Sequence, residues 1–181
     1  MIFKRFFGTK PDEDIAWTLY GEIVEQARRP ALFADMKIPD SVDGRFESIV
    51  LHMVLVLRRL KRDFPEGEML AGALQEAFYA DMDRSLREMG AGDLGVGKRV
   101  QRMAEGFTGR LAAYEAALDD DPGAEGEDDL SAALLRNVYG TLPSGAVDPA
   151  DLAKYVTAQA AALDGQDGAA LRRGKVGFAA P

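Results

Sequence analysis

The apolar residues of this chain recur every three or four positions over long stretches, which is the spacing of one face of an α-helix. This pattern predicts a first helix from about Asp12, ended by Pro30, and a second from about Asp40 or Asp43 to Arg62. Apolar residues cover much of the circumference of the second segment. We therefore expect it to be a central helix that is buried on several sides.

The downstream sequence predicts four further helices, separated by turn-forming residues. They span about 69–89, 96–118, 130–139 and 149–163. No stretch of strand length alternates cleanly between apolar and polar residues, so no β-strand is predicted. The fold class that follows is all-α: a single helical-bundle-like domain of about six helices, with a charged glycine-rich corner.

The boundaries of this domain follow from changes in composition. At 181 residues the chain is long enough for one sizeable core and too short for two ordinary domains. We place the domain at residues 12–164, interrupted by an acidic loop at 119–129 that holds a Pro-Gly turn and dense negative charge. Residues 165–181 thin to glycine, alanine and arginine, and they are predicted to form a flexible tail.

The composition argues against several classes of function. A net charge of −8 disfavours nucleic acid, and DNA in particular, as the main ligand. The chain has no cysteine, which excludes disulfides, thiolate nucleophiles and cysteine metal sites. No apolar run approaches the roughly 20 residues of a membrane span, and no secretory signal is present. We expect a protein that stays in the cytoplasm.

Residues 1–11 form a distinct basic aromatic segment. Its candidate membrane-contacting residues are Phe3, Lys4, Arg5, Phe6 and Phe7. Aromatic rings at headgroup depth, with cations facing anionic lipid, would give a short foothold on a membrane surface. The alternative is that the phenylalanines pack against the core, and the sequence leaves both interpretations open.

Charge is unusually dense around the glycine-rich corner between the third and fourth predicted helices. The charged residues are Asp81, Asp83, Arg84, Arg87 and Glu88 before the corner, and Lys98, Arg99, Arg102 and Arg110 after it. Gly90, Gly92 and Gly97 would allow the backbone to turn and approach closely. Exposed ion pairs stabilise a fold by only about 0–1 kcal/mol each, so stability gives little reason for this density. Either these charges pair across the corner, or part of the set binds a partner protein, ribosomal RNA or lipid headgroups.

No pattern in the sequence predicts catalysis, a cofactor or a metal. The glycines of residues 90–95 match the spacing of a dinucleotide-binding loop, but no strand precedes them, so we interpret them as a tight corner between helices. His52 is the only histidine and lacks a second ligand at suitable spacing. We predict that it is buried or half-buried and bonded to a neighbour.

The charged corner resembles the ubiquinol–cytochrome c chaperone family. The resembling residues are Phe78, residues 81–90, 92–94 and 96–100, Gly109, Arg110 and Tyr114. A second, weaker element comprises Asp43, Arg45, Glu47, residues 51–52 and residues 57–60. Together they extend over roughly residues 15–118, while the chain beyond them offers nothing family-like.

The resemblance implies a non-enzymatic assembly chaperone that binds newly made cytochrome b and promotes assembly of ubiquinol–cytochrome c reductase (respiratory complex III). It further implies action near the ribosome exit and the inner face of the cytoplasmic membrane, with a second assembly factor as an open question. The N-terminal segment is too short for a typical transit peptide, which favours a bacterial member. The charges of the corner, together with Asp43, Arg45 and Glu47, would form the partner-binding surface.

Two other functions remain as alternatives to this one. A general helical adaptor could dock on an acidic partner or a membrane without any cytochrome role. An enzyme with a small-molecule pocket inside the bundle is the least supported, because the chain shows no catalytic arrangement of residues.

Overall fold

The computed structural model describes residues 10–88, 93–119 and 130–181, with side chains over 12–88, 100–119 and 130–181. Within these ranges the backbone forms eight α-helices and no strand, which confirms the all-α prediction. They are α1 (Lys10–Ala27), α2 (Pro30–Ala34), α3 (Val42–Arg62), α4 (Glu68–Glu88), α5 (Asp93–Asp119), α6 (Leu130–Asn137), α7 (Ala150–Asp164) and α8 (Gly168–Leu171). The two short helices, α2 and α8, are those that the sequence did not predict.

Helix α3 is the centre of the fold, as its broad apolar surface predicts. Every residue from 47 to 60 is buried, and the helix contacts α1, α4, α5 and α7. At its start the Ser41 hydroxyl accepts a hydrogen bond from the Gly44 backbone N–H at 3.1 Å, which satisfies a donor that the helix itself leaves unpaired. A Cβ atom at Gly44 would clash with the carbonyl oxygen of Pro39, so glycine is needed where the chain enters this helix.

A cluster of aromatic rings joins four of the helices. Phe78 of α4 is completely buried, and its ring lies 5.2 Å from that of Phe107 on α5 and 6.2 Å from that of Phe46 on α3. Tyr20 of α1 and Tyr79 complete the cluster. Tilted and edge-on ring contacts of this kind add to the energy of burial. The cluster thereby fixes α1, α3, α4 and α5 relative to one another.

Buried arginines tie the end of α3 to the end of α7. The Arg59 guanidinium donates to the Leu163 carbonyl at 3.0 Å, the Gln166 carbonyl at 2.8 Å and the Asp63 carboxylate at 2.7 Å. Its neighbour Arg58 donates to Asp119 at 2.8 Å and also pairs with a carboxylate of α7. Residues 57–60 belong to the weaker family-like element of the sequence. Two of them, Arg58 and Arg59, therefore have a structural role.

The C-terminal segment lies against the core, which differs from the flexible tail that its composition predicts. The Gln159 side chain donates to the Ala179 carbonyl at 2.7 Å and accepts from the Ala179 N–H at 2.9 Å. Gln166 holds Gly177 in the same two-bond arrangement. Each of these two glutamine amides thus donates one hydrogen bond to the tail backbone and accepts one from it, as a residue of a neighbouring β-strand would. Their pairing with residues 11 and 20 positions away cannot be read from the composition of the tail.

Candidate functional site

An open groove with a volume of about 780 Å³ lies where the start of α3, the end of α4, the described part of α5 and the end of α6 meet. Its floor is mostly apolar and comprises Phe46, Ile49, Met82, Leu86 and Met103. Residues three or four apart share one face of a helix, so each of α3 and α4 turns a pair of these side chains toward the groove. The aromatic cluster supports the floor from below, because Phe46 belongs to both.

Charged side chains form the rim of the groove. The basic residues are Arg28, Arg45, Arg102, Arg110 and Arg136, and the acidic residues are Asp43, Glu47 and Asp81. They come from α3, α4, α5, α6 and the turn after α1, so the rim forms only when the chain folds. An apolar floor with a few convergent polar groups is typical of a binding site.

The structure brings together six of the predicted partner-binding residues. Asp43, Arg45, Glu47, Asp81, Arg102 and Arg110 all line the groove. They come from two segments that are far apart in the sequence. Their convergence makes the groove the candidate site.

The other charged residues of α4 lie outside the groove lining. Arg87 pairs with Asp83 of the same helix at 2.6 Å, and Arg84 pairs with Asp81 one turn before it. Glu88 is exposed at the end of the helix. These local pairs are those expected from the spacing of three and four residues on a helix.

Several predicted residues fall outside the described parts of the chain. The side chains of Lys98 and Arg99 do so, as do Gly90, Gly92 and the predicted membrane-contacting residues at 3–7. Gly97 lies within α5, so its backbone is helical rather than part of the turn that the sequence predicts.

Arg110 binds Glu47 of α3 rather than the acidic residues of the corner. Its Nε donates to a Glu47 carboxylate oxygen at 2.7 Å, in a pair whose carboxylate is almost completely buried. Burial raises the pKa of Glu47, and the guanidinium opposes that rise. The pair therefore holds α5 against α3 and sets the shape of one groove wall.

Asp81 is likewise held within the fold. The Tyr20 hydroxyl of α1 donates to its carboxylate at 2.9 Å, and Arg84 pairs with the same side chain. Burial, together with this bond to a carboxylate, raises the pKa of Tyr20 well above its usual range. Tyr20 therefore remains a neutral donor that links the rim to the aromatic cluster.

Sequence reasoning missed the groove lining beyond these six charged residues, including Arg28, Val42, Arg136 and Asn137. Arg28 directly follows α1, and Arg136 and Asn137 lie on α6, so all three are far along the chain from the charged corner. Val42 could have been noticed in the sequence, because it is an apolar residue in the first turn of a helix, directly before the predicted site residue Asp43. It is 67% exposed in the structure.

His52 is completely buried, in agreement with the predicted buried histidine that bonds a neighbour. Its Nδ1 lies 2.7 Å from the Ser48 carbonyl oxygen, which can only accept, so Nδ1 carries the proton. Its Nε2 then accepts from the Tyr155 hydroxyl at 2.7 Å, and Gln26 donates to that hydroxyl at 2.8 Å. The imidazole is fully engaged inside the protein. Among the described residues no cluster of three or more His, Cys, Asp or Glu could hold a metal ion.

We expect stability to fall as pH drops below neutrality because of His52. Burial lowers the pKa of His52 from 6.5 to about 4. Its contribution to the free energy of unfolding is complete above pH 6.5 and is lost toward pH 4, because between these values the unfolded chain binds a proton that the folded chain does not. Between pH 7 and pH 5 this linkage removes about 2 kcal/mol from the free energy of unfolding. Urea titrations at both pH values measure the loss. A His52→Gln variant that loses the same amount would show that other groups cause it.

None of the described helices combines the length and the apolar content that crossing a bilayer requires. This finding concerns only the described part of the chain, and the N-terminal segment lies outside it.

Comparisons with known proteins match most of this chain. A family model described as "Ubiquinol-cytochrome C chaperone" matches residues 34–178. The crystal structure of the Cbp3 homolog from Brucella abortus is similar, with a TM-score of 0.79 and 36% identity over 94% of this chain and 92% of that chain.

Curated relatives carry a related name. Ubiquinol-cytochrome c reductase complex assembly factor 1 from Mus musculus is 26% identical over 154 residues, which covers 84% of this chain and 50% of that protein. The Drosophila melanogaster protein of the same name is 24% identical over 151 residues, covering 81% of this chain and 56% of that protein. The chain thus spans about half the length of these relatives.

Proposed function

The chain belongs to the ubiquinol–cytochrome C chaperone family, and from this premise we propose that it is an assembly chaperone for respiratory complex III. The matched region of the family includes all of the groove-lining residues except Arg28. The names of the mouse and fly relatives state the same role for those proteins. The family resemblance predicted from the charged corner is confirmed.

We further propose that newly made cytochrome b is the client and that a segment of it occupies the groove. The observation that carries this proposal is the convergence of two family-like segments on one groove with an apolar floor. The client of such a chaperone has apolar segments that must be shielded from water before they reach the bilayer. An open groove can cover such a segment and release it without any covalent step.

The geometry of the described groove residues suits binding better than catalysis. Glu47 and Asp81 are held by Arg110, Tyr20 and Arg84, so these carboxylates stabilise the walls. A general base would instead need a carboxylate or imidazole poised toward a substrate. His52 is bonded on both ring nitrogens inside the core. A non-enzymatic role follows as part of the proposal.

The proposal includes three further partners: the ribosome, a second assembly factor and the inner face of the cytoplasmic membrane. A chaperone that receives a newly made membrane protein would work near all three. The basic aromatic residues 3–7 remain the predicted membrane contact.

Reversing two charges of the corner is expected to abolish client association. In an Arg99→Glu/Arg102→Glu variant the basic side of the site becomes acidic, while Arg102 is exposed on α5, so helical content should not change. Pulse-labelled cytochrome b that co-purifies with tagged protein is the measurement.

The matched control for that experiment is Lys154→Glu, a charge reversal at an exposed position of α7 outside the groove. It should co-purify with the client as the wild-type protein does. Undiminished recovery with the double variant would place the client elsewhere on the protein.

A further inference from the structure

The groove has a charge opposite to that of the protein as a whole. Five arginines and three carboxylates line it, whereas the chain carries a net charge of −8. Arg45 also pairs at the rim with Asp40, and the arginines still outnumber the carboxylates when that residue is included. Because the walls of a cleft focus the field of the charges that line it, the groove attracts negatively charged ligands to an otherwise acidic protein.

One arginine of the groove, Arg28, has no salt bridge within the described part of the chain. Of the groove's carboxylates, Glu47 is bonded to Arg110, and Asp81 is bonded to Tyr20 and Arg84. Arg28 lies at the end of α1 and is exposed. A negatively charged ligand would therefore find a guanidinium available at that end of the groove.

The floor selects for an apolar face on the same ligand. Met82 and Met103 are flexible side chains that adapt to different apolar surfaces, and Val42 is exposed at the edge of the groove. A nucleic acid offers phosphates to the rim but no matching apolar stripe to the floor. An amphipathic helix offers both, with apolar anchors at spacings of three and four residues and charges beside them.

We propose that the groove binds an amphipathic helical segment of a partner protein whose apolar face is flanked by Asp and Glu residues. This inference rests on the proposed function, in that it specifies the chemistry of the segment that the site receives. The acidic residues bind Arg28 at the end of the groove beside α1, and the apolar face covers the floor. Charge complementarity sets the orientation and selects the partner, while apolar burial supplies the affinity.

Fluorescence anisotropy with labelled synthetic peptides tests this proposal on the full chain. The probe is a helical peptide of about 14 residues with Leu at helical spacing and Glu at the flanking positions. One control peptide has Lys in place of Glu, and a second has Ser in place of Leu. We expect the Glu/Leu peptide to bind at least about tenfold more tightly than either control and to weaken as salt is raised.

Variants of the protein locate the binding. Arg28→Glu and Val42→Asp change exposed groove positions, and a carboxylate at residue 42 is compatible with the N-terminus of α3. Each is expected to weaken the Glu/Leu peptide about five- to tenfold, which corresponds to roughly 1 kcal/mol. Lys154→Glu should leave its affinity unchanged. Circular dichroism confirms that all variants fold.

Three results would overturn the inference. The first is equal affinity for the Glu and Lys peptides, or no binding of the Glu/Leu peptide at all. The second is unchanged affinity in the Arg28→Glu and Val42→Asp variants. The third is a single-stranded oligonucleotide that competes as strongly as the acidic peptide, because it would identify a phosphate-binding surface instead.

A complementation assay for complex III, run in parallel, separates this inference from the proposed function. If no acidic peptide binds but the wild-type chain supports complex III, the inference fails alone. If the peptide binds as expected and deleting the gene leaves complex III normal, the proposed function fails while the chemistry of the groove stands.

Discussion

A Phe78→Ala variant is expected to lose about 4 kcal/mol of unfolding free energy, because the substitution leaves a large cavity in the core. Phe78 is completely buried, and its ring contacts those of Tyr20, Phe46, Tyr79 and Phe107. These rings belong to α1, α3, α4 and α5, so the surrounding helices cannot close the cavity without moving relative to one another. Chemical denaturation followed by circular dichroism measures the loss.

The effect should extend to the groove. Phe46 both stacks on Phe78 and forms part of the groove floor, so loss of the Phe78 ring removes support from the site. Trp17→Ala is the matched control. Trp17 also contacts Tyr20, but it is 43% exposed and should cost only about 1 kcal/mol. Equal losses in the two variants would contradict the central position of Phe78.

An Arg59→Ala variant is expected to lose about 3 kcal/mol of unfolding free energy, because the partners of Arg59 would lose a charged hydrogen-bond donor. Arg59 is only 7% exposed and joins α3 to two carbonyl oxygens at the end of α7 and to Asp63. Its removal leaves the carbonyls of Leu163 and Gln166 without this donor. Urea titration at neutral pH measures the change.

Two further variants identify the cause of that loss. Arg59→Lys keeps the charge but not the planar arrangement of donors, so it should recover little of the lost stability. Lys61→Ala removes a neighbouring cation whose side chain is 72% exposed, and it should change stability by less than about 1 kcal/mol. Full recovery in Arg59→Lys would mean that charge alone, rather than the geometry of the three bonds, stabilises this junction.

The helical architecture was predictable because it is encoded locally. The spacing of apolar residues identified the six longer helices, and the continuous apolar surface of α3 correctly predicted a central helix. Helices α2 and α8 contain five and four residues, which is too few for a periodic pattern to emerge.

The candidate site was only partly predictable, because its geometry depends on residues that are distant in sequence. The charges that line the groove were identified, but the 63-residue separation of Glu47 and Arg110 hid their pairing. One of the two alternatives that the sequence left open paired Arg110 with the acidic residues of the corner. By contrast, the pairing of Arg87 with Asp83 follows the helix spacing rule and could be anticipated.

Deleting the gene from its native host tests the proposed role in complex III assembly most directly. The measurement is the cytochrome b absorbance spectrum of the membranes together with their complex III activity. We predict that both are lost, that a wild-type copy restores them, and that an Arg99→Glu/Arg102→Glu copy does not. Normal cytochrome b and normal complex III activity in the deletion strain would contradict the assembly role and leave a general docking adaptor as the function of this fold.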